Sequence, residues 1–159
     1  MKVNKKAYEF FNSLSGTLDV TLSEDTVSIG GLLNQRALPG TKIIKMYIEL
    51  KVITNEDDYD TRDLTKDDLN QVVFEDVDFI ELNGQDYHSD SMTSIPHYVT
   101  CKANKKRSFT VKDLIKAVLK TEKKTRKMTE WFGGIDVHHI YFEGLVRIRG
   151  NKFQIYWGS

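Results

Sequence analysis

Hydrophobic and polar positions along this chain follow a helical period in two places and alternate nearly everywhere else. The longer helical stretch follows Ser108. Val111, Leu114, Ile115, Val118, Leu119 and Glu122 recur at the spacing of one helical face, and Lys112, Lys116, Lys120, Lys123 and Lys127 recur on the other. The first set marks a core stripe, the second a solvent-facing basic stripe. Ser108 or Thr110 can cap this helix, and Thr110-x-x-Asp113 has the form of a capping box. Residues 5–14 predict a shorter helix, with Ala7, Phe10, Phe11 and Leu14 on one face, Tyr8 alongside and Gly16 as its stop. Thr65-x-x-Asp68 is a second capping box, suited to a single turn over residues 66–70.

The alternating segments read as strands. Leu18, Val20 and Leu22 share a face, Ser23-Glu24-Asp25 is a turn, and residues 26–29 resume, which predicts a hairpin. Gly30-Gly31 opens a loop that closes at Pro39-Gly40. Residues 41–54 form the strongest strand signal, with Ile44, Met46, Ile48, Leu50 and Val52 on one face and a mixed, lysine-rich set on the other. A strand dry on one side and wet on the other belongs to an antiparallel sheet. In residues 71–82 both faces mix apolar and acidic residues, so a bulge or break is expected near Glu75-Asp76. Asn83-Gly84 signals a reversal, with the return strand in residues 85–90 or, across a loop, in 95–102. Residues 135–149 and 152–157 pair through Gly150-Asn151. The expected fold is α+β: a curved antiparallel sheet of about six or seven strands, with an N-terminal helix and one long helix packed on one face.

Length adds that residues 1–159 form one domain, large enough to bury a core unaided. The lone Cys101 reads as a small buried hydrophobe. With no apolar run behind the first residues and no disulfide partner, a cytoplasmic setting is the default, and no stretch suits a membrane span. Charge changes the picture more. The 23 acidic and 23 basic residues cancel, yet they are segregated. Residues 55–63 and 75–90 are acidic, and the latter lack Lys and Arg altogether. Residues 102–127 carry eleven Lys or Arg against Asp113 and Glu122. Such blocks point to a protein partner or to self-association, for instance as a homodimer.

Candidate chemistry gathers after the long helix, in Trp131-Phe132-Gly133-Gly134 and in Asp136, His138, His139 and Glu143. On a regular strand Asp136 shares a face with His138, and His139 with Glu143. Asp136 could then orient the His138 imidazole for acid–base work, making these two the candidate catalytic pair. The competing reading is a polar pair that pins the turn, since no nucleophile accompanies them. Gly133 serves as a left-handed helix stop, and Gly134 lets the backbone approach a strand or a ligand. Trp131 and Phe132 are core residues first and a binding platform second.

Metal sites find no support. H-E-x-x-H and paired cysteines are missing, and the calcium-like Asp58 and Asp60 are followed by Arg62 with no glycine. No cofactor motif occurs. The leading functional expectation is a non-enzymatic binding or protein-interaction module. Trp131, Gly134, His139, Glu143, Lys116 and Lys120 are its candidate ligand or partner contacts. A small acid–base enzyme at Asp136 and His138 is the alternative, with a small-molecule ligand. Nucleic-acid binding through the basic helix is weaker, because the acidic blocks cancel its charge.

Overall fold

The structure is a computed structural model that describes residues 1–23, 26–28, 35–37, 41–84, 96–131 and 134–159. In chain order the first half holds β1 (Lys2–Val3), α1 (Lys5–Asn12), β2 (Ser15–Leu22), β3 (Thr26–Ser28), β4 (Gln35–Ala37), β5 (Ile43–Asn55), β6 (Asp60–Arg62) and α2 (Lys66–Asn70). There follow β7 (Val72–Glu75), β8 (Phe79–Asn83), β9 (Tyr98–Lys102), β10 (Ser108–Thr110), α3 (Val111–Thr125), β11 (Glu130–Trp131), β12 (Gly134–Ile135), β13 (Tyr141–Arg149) and β14 (Lys152–Gly158). The fold is α+β. A seven-stranded sheet runs in the order β6-β5-β2-β13-β14-β8-β9, beside a three-stranded sheet β1-β7-β10. The large sheet is mixed, not wholly antiparallel as expected, because β14 and β8 run parallel. No described helix is long and apolar enough to cross a membrane.

Local chemistry explains most element ends. Thr110 accepts from the Asp113 amide at 3.2 Å while Asp113 accepts from Thr110, so α3 starts on a closed capping box. Thr65 and Asp68 do the same for α2. Asn4 caps α1. The run over 71–82 breaks where expected. Asp76 takes φ +52°, and β7 and β8 go to different sheets. Gly150, at φ +54°, turns β13 into β14.

Three strand expectations change. The hairpin expected from residues 17–29 does not form. β2 instead pairs along its whole length with β5, and β3 pairs with β4. The thirteen-residue β5 offers β2 a longer partner than a three-residue strand could. Gly16 permits the approach, since a Cβ there would run into the Glu49 carbonyl. A bulge opposite Thr21 and Leu22 also moves Ile44 outward, to 67% exposure, and turns Ile43 inward. The return strand after Asn83 is β9, the second of the two alternatives; residues 85–90, with His88, lie outside the described residues. So do the Gly30-Gly31 and Pro39-Gly40 positions.

Both main helices cover one face of the large sheet. Phe11 of α1 packs edge-on against Phe142, which meets Trp157. Tyr8 packs against both Phe74 and Phe153, which also meet each other. α3 adds Val111, Leu114, Ala117 and Val118 to this single core. Burying each such aromatic or branched side chain stabilises by about 1.5–3 kcal/mol. α1 also completes the sheet chemically. β2 meets β13 only near Tyr141, and the Asn12 side chain takes over further along by pairing with both the N–H and C=O of Leu145. The Tyr8 hydroxyl donates to the same carbonyl.

Candidate functional site

The end of α3 is where the charge pattern and the core meet. Glu122 falls on the buried stripe, and Arg126 follows four residues later on the same face. Both side chains are fully buried. The helix tightens into a 3-10 turn over Arg126–Met128, and Thr121 and Thr125 return their hydroxyls to carbonyls one turn back. Arg126 Nη2 donates to Glu122 Oε1 at 2.5 Å, and Nη1 donates to the His139 carbonyl at 2.7 Å. Its guanidinium carbon lies 5.4 Å from the Trp157 ring centroid.

Asp136 joins this group from the other side. It is fully buried, and its amide donates to the Thr129 carbonyl at 2.9 Å. Oδ1 accepts the amides of His138 and His139, while Oδ2 sits 2.8 Å from His139 Nδ1 and 4.0 Å from Arg126 Nη1. Nδ1 therefore carries the proton toward the carboxylate. The expected strand over 135–149 is interrupted here. β12 ends at Ile135 and β13 starts at Tyr141, with an Asx-type turn between them. That turn overturns the face assignment: His139, not His138, pairs its ring with Asp136. His138 is held by its backbone, and its ring stands edge-on to His139 at 5.1 Å.

Burial pushes the Glu122 carboxyl above its ordinary value, and Arg126 pulls it back down. Among the described residues Glu122 Oε2 has no hydrogen bond of ordinary geometry. It is pressed against Gly84, where a Cβ would collide with it and with Thr125 Oγ1. The side chains of Glu122, Arg126 and Asp136 are fully buried, while that of His139 is 15% exposed.

The remaining expected site residues lie elsewhere. Glu143 is exposed on β13, with its carboxylate over the Gly158 backbone. Trp131 and Gly134 face each other as backbone partners in the β11-β12 ribbon, and Phe132-Gly133 lie outside the described residues. Lys116 and Lys120 are exposed on α3, beside the edge strand β9, where Lys120 Nζ donates to the Thr100 carbonyl at 3.0 Å. Cys101 is buried at 3% exposure, and burial raises its thiol pKa. Among the described residues no group of three or more His, Cys, Asp or Glu is placed to hold a metal ion.

Next to Ile135 a cleft of about 430 Å³ opens between the start of β5 and the end of α3. Lys42 and Lys45 line it from the strand, and Lys123 and Lys127 from the helix. None of these four ammonium groups is ion-paired among the described residues. Thr41 adds a buried hydroxyl with no hydrogen bond among the described residues. Lysines in a last helical turn complement the helix dipole, which accounts for Lys123 and not for Lys42 or Lys45. Lys123 and Lys127 were legible as one face of the basic stripe. Lys42 and Lys45 sit near its end only because β5 crosses α3. Arg126 was missed, although an arginine four residues after a glutamate on an apolar stripe is the signal of a buried pair.

The fold and site therefore define an α+β domain with a sealed ionic hub and a lysine-lined cleft beside it. No family model, no curated protein and no solved structure matches the chain.

Proposed function

We propose that this protein is a binding module whose lysine-lined cleft receives an anionic group, such as a phosphate or a cluster of carboxylates, on its ligand. The observation that carries this reading is the convergence of Lys42, Lys45, Lys123 and Lys127, without ion pairs among the described residues, on one cavity beside a threonine hydroxyl that is buried and has no hydrogen bond among those residues. Four like charges repel one another, and an anion bound among them removes that repulsion. The competing reading, an acid–base enzyme, draws on the Asp136–His139 contact at 2.8 Å. It is weaker. Both Asp136 oxygens are committed to protein donors, the arginine behind them is buried, and no nucleophile adjoins them.

The test is calorimetry with pyrophosphate as the probe at low ionic strength. Wild-type protein is expected to bind it with an affinity that falls as salt rises. Lys123→Glu with Lys127→Glu, both exposed changes, should abolish binding and leave the fold intact by circular dichroism. Lys116→Glu with Lys120→Glu should leave binding nearly unchanged. Absence of binding by wild type, or equal binding by the Lys123/Lys127 variant, would overturn the reading.

A further inference from the structure

The two edges of the seven-stranded sheet carry opposite charge. One edge is β6, which pairs only with β5 among the described residues. The β5–β6 hairpin exposes Glu56, Asp57, Asp58, Asp60 and Asp63. Of these only Asp63 has an ion-pair partner among the described residues, Lys51. The other edge is β9, which pairs only with β8 among the described residues. Beside it lies a groove of about 370 Å³ between β9 and α3, lined by Thr100, Lys102, Lys116 and Lys120 together with Phe109 and Asp113. Asp113, held by Asn104 and Thr110, offsets one of these three lysine charges and leaves the groove basic.

The backbone of β9 is oriented to take a further strand. Ala103 donates to Asp78 on β8's side, while the Thr100 carbonyl is met from outside by Lys120. Strand alternation then points the N–H and C=O groups of Tyr98, Thr100 and Lys102 away from β8. Lys120 takes the Thr100 carbonyl, the outward groups of Tyr98 and Lys102 on either side form a template for another strand, and charge decides which one it accepts. Two β9 edges repel through their lysines, and two β6 edges repel through their carboxylates. Only β6 against β9 brings acid to base.

We infer that copies of this chain associate head to tail, the acidic β6 edge of one adding to the basic β9 edge of the next and extending the sheet across the junction. Such a contact is heterologous. It closes into a ring or continues as an open chain and does not stop at a two-fold dimer. It shares no residue with the lysine-lined cleft, so it stands or falls apart from anion binding there.

The test measures mass by sedimentation over a range of concentrations. Thr100→Pro blocks the β9 edge. Its ring removes an N–H that points outward, as proline does on edge strands. Asp57→Lys, Asp58→Lys and Asp60→Lys together block the β6 edge at exposed positions. At an ionic strength of roughly 20 mM the wild type is expected to grow beyond a dimer with concentration, and at roughly 0.5 M to return toward 18.4 kDa. Each variant alone should remain monomeric. Mixed, they should form a one-to-one complex and nothing larger, since each retains one working edge. The complex also shows that both variants fold. A wild type that stays at monomer mass at low salt would overturn the inference. So would either variant associating as the wild type does, or a mixture that forms no complex.

Discussion

Replacing Arg126 with methionine tests the ionic hub most sharply. The change keeps the aliphatic part of the side chain and removes the charge together with the guanidinium that lies over Trp157. It also deletes the donors to Glu122 Oε1 and to the His139 carbonyl, and leaves two fully buried carboxylates, Glu122 and Asp136, with no guanidinium between them. Breaking a buried pair by removing one partner costs about 3–5 kcal/mol, because the remaining charge is stranded out of water. That is a large share of a stability of about 5–15 kcal/mol. The loss should depend on pH. Burial already raises Glu122, and without Arg126 the group rises further. A raised carboxyl binds its proton more tightly in the folded state. Its contribution is therefore fullest below the ordinary glutamate range and is lost as pH climbs through the raised value. Urea unfolding should accordingly show a smaller deficit for Arg126→Met near pH 5 than near pH 8. Adding Glu122→Gln should recover stability in the Arg126→Met background and cost stability in the wild type, giving a coupling of about 1–3 kcal/mol in a double-mutant cycle. A variant within about 1 kcal/mol of wild type at pH 8 would refute the reasoning, as would additive single changes.

The two histidines should behave differently. His139→Ala removes the ring beside Asp136 Oδ2 and is expected to cost about 1–3 kcal/mol by thermal or urea unfolding. His138→Ala keeps both the backbone turn and the Asp136–His139 contact, so its loss in the same assay should differ from that of His139→Ala. At the acidic edge, Arg62 first and the Thr65 amide next hold the Asp68 carboxyl down at about 2. A depressed carboxyl contributes stability above its ordinary value, and that contribution is lost as pH falls through about 2. Asp68→Asn should lower stability at neutral pH and flatten the acid limb of the unfolding profile over that window. An unchanged acid limb would contradict the pairing.

The sequence made the helices legible because their signals are local. The capping boxes at Thr65 and Thr110 and the stripe from Val111 to Val118 depend only on neighbours within a turn or two. The break at Asp76 and the turn at Gly150 were legible for the same reason. Strand pairing was not local. Whether residues 17–22 joined the next short strand or the long β5 depended on which partner offered more ladder, and nothing near residue 22 decides that. The parallel step between β14 and β8 has no local signature either. At Asp136 the local pattern points to the other histidine. Strand alternation puts Asp136 with His138, whereas the Asp136 side chain captured the next two amides and made a turn that carries His139 to it instead. Aspartate favours such turns over strands, so the competing signal was in the sequence. The cleft needed two segments about eighty residues apart to cross, and the charge pattern alone could not place Lys42 and Lys45 against Lys123 and Lys127.

The most direct check on the proposed function is a backbone amide NMR titration with pyrophosphate at low ionic strength. The shifts should saturate and concentrate on residues 41–46 and 123–127, while amides of the acidic hairpin at 55–63 and of the groove beside Lys116 stay still. Uniform small shifts spread over all the lysines, or shifts centred on His138 and His139 with the cleft silent, would contradict an anion site at the end of α3.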